Sequence, residues 1–275
     1  MTPETNLQQT LEQLVDISRR AGLAILEWYE GDIDISQKAD DSPLTKADLA
    51  SHELIIAELT RHWPDIPVLS EESANIPWET RQQWTSYWLV DPLDGTKEFI
   101  NRNGEFTVNI ALIKDHKPVI GVVHVPVTDL SYFGSRDNGA WCQQGNGKSR
   151  EIRVRQPAAE PPVIVGSRSH ANPELEDQLA RLGPYKLTSM GSSLKFCRLA
   201  EGQADFYPRL GPTCEWDTAA AHAVVNAAGG QVVKIDGEPL EYNCKEAYLN
   251  PFFFVIGDPE KQWLQPFQDQ HNTPA

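Results

Sequence analysis

Residues 88–99 read Trp-Leu-Val-Asp-Pro-Leu-Asp-Gly-Thr-Lys-Glu-Phe, and this run constrains the chain more than any other. Its apolar start, led by Tyr87, has the character of a buried strand. The strand runs without a spacer into an acid, a proline and a second acid. Pro92 has a fixed φ and no N–H, so the chain is expected to turn there. The turn should gather the carboxylates of Asp91 and Asp94 and the carbonyl of Leu93 near one point. An all-oxygen donor set suits a hard cation, Mg²⁺ above all. Gly95 and Thr96 then offer backbone N–H groups at a helix start, where a phosphate is favoured. A metal clamp beside a phosphate cradle is the equipment for transferring a phosphoryl group to water. Taken singly, Asp91 reads as a turn residue and Asp94 as an N-cap. Together, at the C-terminal end of a strand, they read as a ligand site.

Around this run the periodicity divides the chain in two. Leu7, Leu11, Leu14, Val15, Ser18, Ala21, Ile25 and Trp28 recur at helical spacing, with Gly31 as the stop. A second helix is expected from Lys46 to His62, on the apolar positions Leu49, Leu54, Ile55, Ile56 and Leu59, with Pro64 behind it. Short strands follow at 67–72 and 87–91. A hairpin is expected from 106–113 and 118–125, and a continuing meander near 132–133 and 139–142. The proline-rich stretch 156–162 marks a boundary. Beyond it strands and helices alternate: strands at 163–166, 186–189, 204–208 and 231–235, and helices at 173–182, 193–201 and 216–228. That alternation argues an α/β unit. The expectation is an N-terminal α+β half, residues 1–155, carrying most metal ligands. An α/β half, residues 156–275, would complete the site and bind the ligand, the two forming one compact catalytic unit. The polar residues after about Pro266 are expected to fray.

Further acids and bases join the candidate site. Ser70-Glu71-Glu72 follows the short strand Val68-Leu69. Adjacent carboxylates point to opposite sides, so one of the two is expected to reach the metal, and a solvated acidic loop is an equal alternative. Asp217 sits near the first turn of the alanine-rich helix, where a helix-dipole acid is the plainer reading. Glu215 beside it reads as a surface acid. Asp48 is a first-turn acid whose functional reading depends on the others. On the basic side, Ser167-Arg168-Ser169-His170 and Gly191-Ser192-Ser193-Leu-Lys195 each follow a strand and precede a helix, and Arg209 follows another strand. Each could hold an anion, though a capping serine or a solvated base is the plainer reading of any one.

Composition narrows the class. With 39 acidic and 24 basic residues the formal net charge is −15, which opposes non-specific binding to nucleic acid or anionic lipid. No apolar run approaches the roughly 20 residues of a membrane-spanning helix. The N-terminal MTPETNLQQTLEQ lacks the basic and apolar regions of a secretory signal. The four cysteines, Cys142, Cys197, Cys214 and Cys244, form no CxxC pair and are expected to be buried reduced thiols. The expected location is the cytoplasm, with peripheral attachment to the inner membrane face left open.

The acids Glu71-Glu72, Asp91-Pro-Leu-Asp94-Gly-Thr96 and Trp216-Asp217, in that order, resemble the signature of the inositol monophosphatase-like superfamily of Mg²⁺-dependent, lithium-sensitive phosphatases. The resemblance runs from the N-terminal helix pair to about Ile256. Residues 91–100, 103–112, 167–170, 191–197 and 207–213 are most similar to a bacterial branch acting on nucleoside 3′,5′-bisphosphates. It implies a five-layered αβαβα sandwich with the site between its halves. It implies two Mg²⁺ ions: Glu71 and Asp91 on the first, Asp91, Asp94 and Asp217 on the second, and the Leu93 carbonyl among the ligands. It leaves room for a third, weaker position near Asp48. Thr96, with Glu71 or Asp48, would orient the attacking water, and the Gly95 and Thr96 N–H groups would hold the 3′-phosphate. Ser192, Lys195, His170 and Arg209, beside Asp217, would meet the rest of adenosine 3′,5′-bisphosphate. The implied reaction yields AMP from a residue of sulfate transfer and assimilation.

Two alternatives stand beside this reading. One is an inositol- or sugar-phosphate phosphatase on the same scaffold, which Leu210 disfavours because inositol phosphatases carry an acid near that position. The other is a non-catalytic Mg²⁺-dependent nucleotide sensor, which would bind tightly without turnover.

Overall fold

The structure is a computed structural model that describes residues 2–30, 35–37, 43–167 and 173–268. Helix α1 (Leu7–Leu26) is capped by the Asn6 side chain, which accepts from the Gln9 N–H at 3.3 Å. It buries Leu11, Leu14, Ser18, Ala21 and Ile25 along one stripe. The helix stops five residues short of Gly31, which lies outside the described residues. Trp28 falls in the following turn, 39% exposed, rather than on the stripe. Short strands β1 (Ile35–Gln37) and β2 (Pro43–Thr45) pair antiparallel. Helix α2 (Lys46–His62) has the expected bounds, set by a Thr45–Asp48 capping box. Its inward face is Ala47, Asp48, Ser51, Ile55 and Leu59, and Leu49 is exposed. The helix is rotated so that its polar residues meet the acidic strand end.

The N-terminal sheet has seven strands in sequential order: β3 (Val68–Ser70), β4 (Ser86–Asp94), β5 (Thr107–Lys114), β6 (Lys117–Val125), β7 (Leu130–Ser135), β8 (Gly139–Gln144) and β9 (Arg150–Ile152). Only β3 and β4 among these neighbours run parallel. Two short helices, α3 (Trp78–Arg81) and α4 (Thr96–Ile100), flank β4, and α3 was not foreseen. Helices α1 and α2 cover one face of this sheet through a core that includes Trp63, Trp88, Val90, Phe99 and Phe106.

The second sheet has the order β11-β10-β12-β14-β13. Its strands are β10 (Val163–Ser167), β11 (Lys186–Met190), β12 (Phe206–Arg209), β13 (Gln231–Lys234) and β14 (Phe253–Ile256). Strands β10, β11 and β12 run parallel, as strand–helix alternation predicts, while β14 pairs antiparallel with β12 and β13. Helices α6 (Leu194–Ala200) and α7 (Ala219–Ala227) lie between the two sheets. Every residue from Ala219 to Val225 is buried. Such a helix is apolar on nearly every side; its buried His222 meets the Tyr242 hydroxyl at 2.9 Å, and its alanines let both sheets approach. On the outer face, α5 (Pro173–Ala180) and α8 (Gln265–Gln268) close a third core, in which Phe206 stacks on Trp263 at 4.8 Å. The layers are therefore αβαβα. Phe267 is buried against Phe206 and Phe254, and the rest of the tail expected to fray, residues 269–275, lies outside the described residues. None of the four cysteines is in a disulfide, and Cys142 and Cys197 are buried; Cys214, half-buried, and Cys244, exposed on the irregular stretch before β14, depart from expectation. Among the described residues no helix is long and apolar enough to cross a membrane.

Candidate metal centre and anion cleft

The acid–proline–acid run is not a turn. Strand β4 continues through Asp94, and its register against β5 changes between Asp91↔Asn109 and Asp94↔Thr107. Three steps along β4 match two along β5, so β4 carries one extra residue, a β-bulge. The bulge matters because residues at i and i+3 of a regular strand face opposite sides of the sheet. The extra residue brings Asp91 and Asp94 to the same side. It also accommodates Pro92, which has no ladder hydrogen to give. The Leu93 N–H donates to Asp91 Oδ1 at 3.0 Å, and the Ser51 hydroxyl donates to the Pro92 carbonyl at 2.7 Å. Gly95 then turns the chain into α4 at φ 93°, a left-handed conformation that suits glycine.

Asp91, Asp94 and Asp217 each bring a carboxylate oxygen within 4.8 Å of the others. Glu71 opens a single helical turn after β3, whose Ser70 pairs with Val90 of β4, so the two strand ends are adjacent. Its carboxylate is close enough to Asp91 to raise that carboxyl. Burial, then Glu71, Asp94 and Asp217, push the Asp91 carboxyl well above the usual range. Burial, then Asp94 and Glu71, do the same to Asp217. Burial raises Asp94 to about 6, although Lys195 opposes it. Carboxylates crowded in this way repel one another, and a divalent cation relieves that repulsion. The donors are all oxygen, so the set fits Mg²⁺.

Asp217 sits two residues before α7, near its first turn as expected, although the helix starts at Ala219 and not at Trp216. Its Oδ2 accepts from the Cys214 N–H at 3.0 Å. Glu215 is not a surface acid: it is 1% exposed, accepts from the Asn243 N–H at 2.9 Å and is raised by burial to about 7. Asp48 serves two purposes. Its Oδ2 closes the cap on Thr45, and its Oδ1 accepts from the Thr96 hydroxyl at 3.4 Å. The Leu93 carbonyl lies 3.5 Å from the same hydroxyl.

Asp94 and Asp217 open onto a cleft of about 300 Å³. Its lining includes Asp94, Gly95, Thr96 and Asp217 together with Ser192, Lys195 and Arg209. Lys195 is not a solvated base. It is 7% exposed, burial lowers it to about 8, and Asp94 is the first charge acting the other way. Its Nζ donates to the Ser192 and Met190 carbonyls at 2.6 and 3.3 Å. Arg209 donates to the Pro212 carbonyl at 2.6 Å.

A model of the inositol monophosphatase family matches residues 6–258. The chain belongs to that family. The 3′(2′),5′-bisphosphate nucleotidase CysQ of Escherichia coli strain K12 is 53% identical over 247 residues, 89% of this chain and 98% of that protein. The crystal structure of CysQ from Bacteroides thetaiotaomicron, a bacterial member of the inositol monophosphatase family, aligns with a TM-score of 0.79 at 43% identity, covering 91% of this chain and 97% of its own. An IMPase structure from Thermotoga maritima, at 22% identity, shares the fold with a TM-score of 0.76 over 95% of this chain and 98% of its own.

Against the family signature, the structure brings Glu71, Asp91, Asp94 and Asp217 together, with Asp48, Gly95 and Thr96 beside them. It sets Ser192, Lys195 and Arg209 in the lining of the same cleft, while His170 lies outside the described residues. Sequence reasoning missed the side chains that aim Asp94. Its Oδ2 accepts from the Ser193 N–H at 2.5 Å, Asn109 Nδ2 at 3.4 Å and the Thr107 hydroxyl at 3.5 Å. The signal was present: Thr107 and Asn109 are polar residues two apart, on one face of an otherwise apolar strand. The aromatic lining from Tyr207 and Phe253 was also missed.

Proposed function

We propose that this protein is a Mg²⁺-dependent phosphatase that removes the 3′-phosphate of adenosine 3′,5′-bisphosphate and releases AMP. The observation that carries this reading is one cleft lined both by carboxylates of the cluster, the half-buried Asp94 and Asp217 beside the buried Asp91, and by the cations Lys195 and Arg209. A ligand with a single phosphate needs only the acidic side and its metal. A ligand with a second phosphate also uses the cationic side. The CysQ relatives, 53% identical over most of the chain, support the same substrate. The reading places the reaction in the cytoplasm and the site between residues 1–155 and 156–275.

In this reading Glu71 and Asp91 would hold one ion, and Asp91, Asp94 and Asp217 another, with the Leu93 carbonyl among the ligands and a third position open near Asp48. Bound Mg²⁺ would neutralise charge on the phosphoryl oxygens and acidify water. The protein's own groups do the positioning. The Thr96 hydroxyl donates to Asp48, which leaves its oxygen to accept from a water at the cleft floor. Three donors hold Asp94 Oδ2, so its other oxygen faces the cluster in a fixed orientation. The backbone N–H groups at Gly95 and Thr96 receive the 3′-phosphate. Ser192, Lys195, Arg209 and His170 receive the 5′-phosphate and nucleoside.

The test is phosphate release from adenosine 3′,5′-bisphosphate and from inositol 1-phosphate, with Mg²⁺, with and without lithium. Lithium-sensitive release from the nucleotide is expected to dominate. Preference for inositol 1-phosphate would keep the acidic cluster and overturn the roles of Lys195 and Arg209. Tight binding without release would favour a sensor.

A further inference from the structure

We infer that Glu105, which lies outside the metal cluster and is not part of the cleft wall, is a positioning residue that sets the wall segment Gly191-Ser192-Ser193 for a bisphosphorylated ligand. The inference rests on the proposed function.

The segment joins β11, which ends at Met190, to α6, which begins at Leu194, and both Ser192 and Lys195 line the cleft. It is held at both ends by carboxylates from the other half of the chain. The Gly191 N–H donates to Glu105 Oε2 at 2.7 Å, and the Ser193 N–H donates to Asp94 Oδ2 at 2.5 Å. Between these two ties Ser192 has φ 45°. A residue with a side chain keeps that left-handed conformation only where its surroundings hold it there. The carbonyls of Met190 and Ser192 in turn anchor Lys195 Nζ. Lys195 therefore takes its position from a segment whose own position is set by Glu105 and Asp94. The segment also presses closely on its neighbours. A Cβ added at Gly191 would lie 2.7 Å from Glu98 Cγ and 3.1 Å from the Glu105 carbonyl. Glu105 is itself oriented locally, since its N–H donates to Asn103 Oδ1 at 2.9 Å.

Glu105 thus fixes how far the cationic wall stands from the acidic cluster. A ligand with phosphates at both ends depends on that separation. A ligand with one phosphate at the metal end does not. Loss of Glu105 should therefore raise KM for the first and leave the second nearly unchanged.

The experiment compares adenosine 3′,5′-bisphosphate with adenosine 3′-monophosphate at saturating Mg²⁺, for wild type, Glu105→Ala and Glu105→Gln. Glu105→Ala is expected to raise KM for the bisphosphate about tenfold, with kcat and the monophosphate reaction changed by less than about twofold. Glu105→Gln keeps an oxygen acceptor for the Gly191 N–H and should restore most of the loss. Equal losses on both substrates, or no change on either, overturn the inference. A wild type that prefers the bisphosphate, paired with a Glu105→Ala that keeps the preference, overturns the inference alone. A wild type indifferent to the 5′-phosphate overturns the proposed function and this inference with it. If Glu105→Ala fails to fold, Glu105→Asp carries the same comparison, because its shorter side chain withdraws the acceptor from the Gly191 N–H.

Discussion

Arg81 and Asn243, 162 residues apart, hydrogen-bond each other twice: Arg81 Nη1 donates to Asn243 Oδ1 at 2.6 Å, and Asn243 Nδ2 donates to the Arg81 carbonyl at 2.6 Å. The guanidinium is 1% exposed, lies against the rings of Trp78 and Tyr248 and also donates to the carbonyls of Lys245 and Glu246. Tyr248 extends the link. Its hydroxyl donates to the Ala74 carbonyl at 2.5 Å, and its own carbonyl accepts from the Glu215 N–H at 2.9 Å. A chain of direct contacts therefore joins the neighbourhood of Glu71 to that of Asp217, which come from opposite halves.

Replacing Arg81 should be costly for stability. Arg81→Met keeps apolar bulk but leaves Asn243 and two carbonyls without their donor. A loss of about 3 kcal/mol is expected from polar groups buried unsatisfied, read as a lower urea midpoint in saturating Mg²⁺. A midpoint unchanged from wild type would show that the link contributes nothing.

The acidic cluster should weaken the metal-free fold. Asp217→Asn removes one of the mutually repelling carboxylates and keeps an oxygen to accept from the Cys214 N–H. In EDTA the variant should melt a few degrees above wild type, at roughly 3 °C per kcal/mol for a chain of this size. It should gain little from added Mg²⁺ and lose at least about a hundredfold in activity. Melting in EDTA below wild type would contradict the repulsion argument.

Metal affinity should depend on pH. Asp91 and Asp217 are raised well above their usual range and Asp94 to about 6, so protons compete with the cation as pH falls. The Mg²⁺ concentration for half-maximal activity should rise between about pH 8 and pH 6. The same groups affect folding with the opposite sign to paired acids. Their folded values lie above the unfolded ones, so ionising them destabilises the metal-free fold, and its stability in EDTA should grow as pH falls over that range. A Mg²⁺ requirement independent of pH would refute the assignment.

Asp205 supplies the contrasting case. Burial pushes its carboxyl up, but paired bonds from Arg155 at 2.8 and 2.7 Å and the N–H groups of Val163 and Ala159 bring it below its usual value. A depressed acid stabilises the fold above its unfolded pKa and loses that contribution as pH falls through the folded one. Asp205→Asn should cost about 2 kcal/mol at neutral pH, with the gap from wild type closing below about pH 4. Urea titrations at both pH values measure it.

The local signals were read well where they are local. The Thr45–Asp48 box and the apolar period set the ends of α2, and the 107–114/117–125 hairpin follows from alternation around a short polar turn. Signals that depend on partners were misread. Trp28 continues the α1 stripe by spacing, yet the helix has already ended. Trp216 and Asp217 look helical by composition, yet Asp217 closes a turn on Cys214. Arg81 carried no signal, because a surface arginine and a buried one look alike until Tyr248 and Asn243 are in place.

The same division holds at the site. Residue order alone pointed to the chemistry: a strand ending in Asp91-Pro-Leu-Asp94-Gly-Thr96, with Glu71 before it and Asp217 far behind, offers oxygen donors next to backbone N–H groups. Tertiary structure alone decided three further matters: the bulge that puts Asp91 and Asp94 on one side, the close set of Asp91, Asp94 and Asp217, and the burial of Lys195 beside Asp94. The reason is physical. Which face a strand residue takes depends on the register of its partner strand. A charge shifts by burial only once two sheets have closed around it.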